Sequence, residues 1–451
     1  MPDKWPLANG NWSNAANWNG GTKPVAGDDV FADGRTLNVD ESFDVATLRT
    51  TQRSGGTIGG SFVFNTAGVT GTVTSSSPLV PGATNMVQVT ATTGTVTISL
   101  GGNVTPRTAS NDVLISYSGN CNLNLTGTNF NGLTVTSAGT TCISKTSAGL
   151  ITITGNINGG AASGQANNRA LVSTNGNTIV IGNVTGGANG TNSRAIDQSA
   201  GTLTITGNVT GGQSTISNQG VLFSGTSLTV NGTITGGTGA RAIDSTAPVN
   251  IINGNVLGGT LEGVITTGNT TITGNVTAAS AAAITSSSAI QLQVTGTVTA
   301  SATSQAISMT NANGQVYLNG NMVNNNGKMA IYAPIVWLDA NNTTSAAFFT
   351  SGGSPRTLYS EDTFPNMPAE ADTRNNIVYG PGSGLTGTLK MPAAADTRNG
   401  VVYDNGTIGT ALFTTSLFLT ELSSSTVPVA IRMQNLCTPM ILGELMEAFK
   451  K

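Results

Sequence analysis

Asp197 and Asp244 are the residues whose type and spacing come nearest to a catalytic pair. They occupy the same column of an internal repeat, two repeat units apart. At the spacing of a parallel ladder that is about 9.6 Å, near the upper end of the carboxylate separation in inverting glycosidases. Such a pair would cleave a polysaccharide, one carboxyl protonating the leaving oxygen and the other activating water. Against this, Leu222 holds the column in the intervening unit, and aromatic residues that could stack on sugar make up only 5% of the chain. Arg241 and Glu262, in neighbouring units, read as a surface ion pair. The sequence contains no histidine. That removes Ser/His/Asp and Cys/His triads, histidine bases and most zinc or non-haem iron sites, so no metal or cofactor site is expected.

The elements that must carry these residues are unusual in composition. Only 9% of 451 residues are charged and 59 are glycine, against about 25% charged in an average globular chain. A neutral Ser/Thr/Asn/Gly surface replaces the usual charged one, while 38% hydrophobic residues still allow a large core. With 18 basic and 21 acidic residues, the chain shows no electrostatic footprint for nucleic acid or anionic lipid. No apolar run is long enough for membrane insertion, and the start lacks a basic segment followed by an apolar one, so export by that route is not expected. Cys121, Cys142 and Cys437 have no metal-ligand spacing and read as free buried thiols.

The dominant feature is a repeat. TLTITGNVTGG at 202–212 returns as ITITGNINGG, TIVIGNVTGG, SLTVNGTITGG and VNIINGNVLGG. Aligned on its first glycine, the phrase gives Gly102, Gly127, Gly155, Gly182, Gly207, Gly232, Gly254, Gly274, Gly296 and Gly320, at intervals of 20 to 28 residues. Two residues before each anchor the residue is always aliphatic. Two residues after it the residue is apolar except at Asn129. Alternation of this kind marks a strand with one buried face. A second column, typified by Arg194-Ala195-Ile196 and Arg241-Ala242-Ile243, supplies another short strand per unit. Two strands per unit separated by Gly-Gly turns predict stacked coils. The expected fold is therefore all-β: a single-chain parallel β-helix, a solenoid of about 24 residues per coil, right-handed by the general preference of parallel crossovers.

Directly after the anchors come Asn156, Asn183, Asn208, Thr233, Asn255, Asn275, Thr297 and Asn321, which predict a structural hydrogen-bonding ladder along one edge. Loops between the Gly-Gly turn and the second strand shorten from eight residues after Gly160 to two after Gly259. Stacked loops on one side make either a binding face or tolerated insertions.

The domain reading is an N-terminal Trp-rich cap or attachment segment over 1–35, the β-helix over 36–345, a C-terminal β-rich module over 346–437 and a terminal amphipathic helix over 438–451. Trp5, Trp12 and Trp18 lie in the first segment as candidates for covering the open strand edges or for assembly. In the third, MPAEADTRNNIVYGPG and MPAAADTRNGVVYDNG form a tandem 24-residue repeat, in which Asp372 and Asp396 read as turn residues rather than catalysts. In the last, Thr438 and Pro439 start a helix whose Ile441, Leu445 and Phe449 share one face, either a lid on the solenoid or a contact with a neighbouring subunit.

The tandem MPAxADTRNxxVYxxG, joined to the opening GNWSNAANWNGGTKPVAGDDV, resembles modules in structural proteins of tailed-bacteriophage virions, where β-helical fibres and tailspikes are common. The resemblance implies a virion location after assembly in the host cytoplasm, other virion proteins as partners, and a host-surface glycan or receptor as a further partner. It also implies a homo-oligomer, commonly a trimer, although no coiled-coil heptads are present to enforce one. The expected function is a non-enzymatic structural rod, a tail fibre, head fibre or tailspike-like part that could serve adhesion. The alternatives are a polysaccharide-cleaving tailspike and a bacterial β-helix adhesin or sheath protein.

Overall fold

In the computed structural model the chain forms two compact units, Met1–Phe364 and Pro365–Lys451. The structure describes residues 2–338 except 83–84, 105–112, 133–140, 161–166, 189–190, 214–217, 301–303, 321 and 325–330. Beyond these it describes the strands Thr357–Ser360, Val378–Tyr379, Leu385–Thr386, Val402–Tyr403 and Thr407–Ile408. The helix expected over 438–451, with Ile441, Leu445 and Phe449, lies outside the described residues, as do Asp372 and Asp396.

The first unit is an all-β parallel solenoid. One face is a 14-stranded parallel sheet that starts at Gly10–Asn11 and ends at Ile331–Tyr332. Between those ends the second column of the repeat stacks in register, Leu171 on Ile196, Ile196 on Val221 and Val221 on Ile243. A second ladder carries the residues before the anchor glycines, such as Thr178–Ile181, Thr202–Thr206 and Ser227–Asn231. After the glycine corner, two-residue strands such as Val184–Thr185 and Val209–Thr210 form the third side. Leu203, Ile205 and Val209 are fully buried while the residues between them reach solvent, so each coil adds a slice to one narrow apolar column.

The anchor glycines make the corner feasible. Gly155, Gly182, Gly207, Gly232, Gly274, Gly296 and Gly320 have φ between +138° and +155°, a region that side-chain-bearing residues rarely enter. A Cβ on any of these would also overlap the carbonyl oxygen of the anchor one coil earlier, from Gly127 through Gly296. Each corner thus packs backbone on backbone.

Asn129 is placed differently from the simple alignment. The pairing of Asn122–Asn131 with Ile151–Asn158 shifts by one residue between Thr126 and Asn129, setting Asn129 beside Asn156 and Phe130 beside Ile157. The additional residue therefore sends Asn129 to the polar ladder, and Phe130, fully buried, fills the core position.

The stack also starts earlier and ends later than the periodicity predicts. Asp3–Lys4 pairs with Asp29–Phe31, and Gly10–Asn11 with Leu37 and Asn38, so residues 1–35 contribute ladder strands ahead of Thr36. These strands are two or three residues long and carry no repeat phrase. At the other end Thr357–Ser360 continues the register of Ile335–Leu338, so the first unit passes 345. Within the second unit each tandem copy places its Val-Tyr pair in a short antiparallel hairpin, Val378 opposite Thr386 and Val402 opposite Ile408.

Inside the rod runs a polar seam at the last inward position of the first face: Tyr117, Lys145, Ser173 and Gln198 in register. The turn to the next strand leaves carbonyls pointing inward, and these side chains supply donors. Gln198 Nε2 donates to the carbonyls of Ala200 and Thr202 at 2.7 and 3.0 Å. Lys145 is fully buried, its Nζ donating to the carbonyls of Ser147 and Asn175, with the Tyr117 ring 5.9 Å away. Burial pushes this ammonium down to about 8.

Two outcomes follow from this architecture. Gly207→Ala is expected to cost about 2 kcal/mol or more in denaturant unfolding, while Thr206→Ala beside it stays near wild type. Because Lys145 binds its proton more weakly folded than unfolded, unfolding free energy rises between about pH 8 and the ordinary lysine range near 10.5. Lys145→Met is expected to flatten that rise in urea titrations at pH 7.5, 8.5 and 9.5.

Candidate functional site

Beyond the first coils, the described charged side chains Arg169, Arg194, Asp197, Arg241, Asp244 and Glu262 stand along the 14-stranded sheet. Register places Asp197 next to Leu222 and Leu222 next to Asp244, so the two aspartates share a column two coils apart with a leucine between them. Both are engaged by arginine. Asp197 Oδ2 accepts from Arg194 Nη1 at 2.8 Å and lies 3.2 Å from Arg169 Nη1. Asp244 Oδ2 accepts from Arg241 Nη1 at 3.2 Å, and Arg241 Nε donates to Glu262 Oε2 at 3.0 Å. Arg194 Nε also donates to Gln219 Oε1 at 2.9 Å. The result is two arginine–carboxylate clusters, Arg169–Asp197–Arg194 and Asp244–Arg241–Glu262, separated by the uncharged coil of Gln219 and Leu222.

This network is partly shielded, with Arg194 and Asp197 side chains 16% and 18% exposed. Burial lowers the Arg169 guanidinium from its usual range. Asp197 opposes that shift, and Arg194 adds to it. The Arg194-to-Asp197 and Arg241-to-Asp244 contacts are hard to read in sequence, since residues three apart on a straight strand face opposite ways. The chain instead bends between them, strand starting only at Ile196 and Ile243. The readable signal was the tetrad Arg-Ala-Ile-Asp, present at 194–197 and again at 241–244.

The asparagine column occupies a different edge. Asn156 Nδ2 donates to Asn129 Oδ1 at 2.9 Å, and Asn129 Nδ2 to Asn103 Oδ1 at 2.6 Å. From Asn156 onward the pattern changes, each Oδ1 accepting the backbone N–H of the next coil: Asn156 from Asn183 at 2.9 Å, Asn183 from Asn208 at 2.8 Å and Asn208 from Thr233 at 2.9 Å. Thr233 has no carboxamide to pass on. The run resumes with Asn275 donating to Asn255 at 2.9 Å and Thr297 to Asn275 at 2.8 Å. Asn321 lies outside the described residues.

The tryptophans stand at the start of the core. Trp12 and Trp18 are almost fully buried, with Trp12 stacked on Phe43 at 4.2 Å and Trp18 set edge-on to Trp12 at 5.0 Å. Trp18 Nε1 donates to the Trp12 carbonyl at 2.9 Å, satisfying its polar atom inside. Neither ring offers a surface to a partner. Trp5 is half-buried, under the Arg53 guanidinium at 4.1 Å, which in turn pairs with Asp33 at 2.8 Å.

Among the described residues no group of three or more Cys, Asp or Glu is placed to hold a metal ion, and no helix is long and apolar enough to cross a membrane. No protein family, curated protein or solved structure matches this chain.

Removing the carboxylate of Asp197 leaves two arginines without their shared acceptor, whereas Asp244 has one arginine that also holds Glu262. Asp197→Asn is therefore expected to lower stability by about 1–2 kcal/mol. Asp244→Asn is expected to cost less, as read by paired thermal melts at 50 mM and 500 mM salt.

Proposed function

We propose that this chain is a non-enzymatic structural component of a bacteriophage virion: a right-handed β-helical rod, capped at its N-terminal end, that acts as a fibre or tailspike-like part. The observation that carries the reading is the unbroken parallel register through 14 strands. At about 4.8 Å per strand this gives a rod about 60 Å long in which eight successive coils, from Gly155 to Gly320, lean on the glycine corner of the last. Such a body transmits position and force without chemistry of its own. Asp197 and Asp244, set two coils apart by the repeat, already accept from arginines, and Leu222 holds the column between them. The tandem C-terminal repeat and Trp/Asn/Gly opening supply the virion part of the reading by resemblance.

Other virion proteins are the partners in this account, and the rod's side is free to present a surface to a host glycan or receptor. Mass spectrometry of purified phage particles, with antibody labelling of the same particles, tests it. Copurification at a fixed copy number, with label at one place on the head or tail, is the expected result. Absence from particles together with labelling of the bacterial surface would replace it with the adhesin reading.

A further inference from the structure

The buried Lys145 and the turn it supports bring a reactive set of atoms together. Asn175 and Gly176 lie in the turn that follows the strand Arg169–Ser173, with Asn175 exposed and Gly176 at φ +68°. Asn175 Oδ1 accepts the Gly176 N–H at 2.8 Å, so the carboxamide is folded back over the next backbone nitrogen. At the other end of the same peptide unit, the Asn175 carbonyl accepts from Lys145 Nζ. One peptide thus has an electrophilic side chain against its nitrogen and a cation against its oxygen. Asn131, Asn158 and Asn231 also precede glycine, but there the glycine N–H is tied to a neighbouring coil. Gly132 donates to the carbonyl of Asn158, Gly159 to that of Thr185 and Gly232 to that of Asn253, at 2.7, 2.7 and 3.0 Å.

We propose that Asn175 is a self-modification site, at which the Gly176 nitrogen attacks the carboxamide while the Lys145 ammonium stabilises the charge on the carbonyl oxygen of the same peptide. The amide nitrogen first gives its proton to hydroxide, and the anion left behind carries much of its charge on the peptide oxygen. A cation donating to that oxygen favours the anion, as the donors of an oxyanion hole do. The nitrogen then bonds to Cγ, the Cγ–Nδ2 bond breaks, and Nδ2 takes a proton from water and leaves as ammonia, returning the hydroxide. The product is a five-membered imide. Water opens it at either carbonyl carbon, leaving an aspartate at 175 or a chain that continues through the β-carboxyl. Glycine puts no side chain in the path of attack, and the Oδ1 contact keeps Cγ close to the nitrogen. The β-linked product adds a methylene to a packed corner. Gln198 Nε2 donates to the Gly176 carbonyl at 3.3 Å, and that oxygen fills the place a Cβ would take on Gly201. The modification therefore acts on the stack at one coil, and it needs neither the virion location nor adhesion.

The test incubates the full chain at pH 7.5 in heavy-oxygen water. Its peptides are read by mass spectrometry with electron-transfer fragmentation, which separates aspartate from its β-linked isomer. The expected result is conversion at Asn175 with uptake of labelled oxygen, at least tenfold faster than at Asn131, Asn158 and Asn231. Lys145→Met distinguishes assistance from support of the turn. It is expected to slow conversion fivefold or more, whereas losing a merely structural lysine would loosen the turn and speed conversion. If Lys145→Met does not fold, the pH profile of the unaltered chain carries the same comparison. Lys145 loses its proton near pH 8, so conversion rises with hydroxide below that and levels off between pH 8 and 9. A synthetic peptide of residues 170–180 keeps rising. Burial raises the titratable neighbours Tyr117 and Cys121, which stay mostly protonated through that range. Any of four results would overturn the proposal: an intact Asn175, conversion no faster than at the three tied pairs, unchanged or faster conversion in folded Lys145→Met, or a pH profile parallel to that of the peptide.

Discussion

The regular part of the rod depends on one close approach: from Gly155 to Gly320, the place a Cβ would take on each anchor glycine is filled by the carbonyl oxygen of the anchor glycine one coil back. Eight successive steps, from Gly127 to Gly320, repeat this contact. With φ near +140° at the corner, the chain turns within a single residue. The aliphatic residues two before and two after therefore point into the same narrow interior from different sides. A side chain at the corner would push the coils apart and take both flanking ladders with it.

The corner creates a polar debt, because its next backbone N–H faces outward with no strand partner. Asparagine at that position settles it by reaching one coil along the axis with its side-chain carbonyl, and threonine, lacking a carboxamide, ends the run at Thr233. The opposite turn creates inward carbonyls, and Lys145, Ser173 and Gln198 answer these from inside. Among the described residues charge is sparse: two arginine–carboxylate clusters on one face, a set of ion pairs in the first coils, and one buried ammonium.

Legibility in the sequence tracked the distance between cause and effect. The glycine anchors, the aliphatic columns and the position of Asp197 relative to Asp244 are local and periodic, so the parallel all-β solenoid could be read before any coordinates. Asn129 could not, because one inserted residue moves the register while leaving the text nearly intact. The first coil was hidden by strands of only two or three residues. Lys145 gave no sign of its burial, since its column is shared by Tyr117, Ser173 and Gln198, and nothing periodic joins those types.

Residue-resolved hydrogen exchange tests the corner most directly, because the rod contains its own control. The backbone amides of Asn183, Asn208, Thr233, Asn275 and Thr297 each donate to an asparagine of the preceding coil. The Asn255 amide follows Thr233 and has no such acceptor. Slow exchange at the five and fast exchange at Asn255 is the pattern this account predicts. Uniformly fast exchange at all six, with the flanking strand amides still protected, would contradict it.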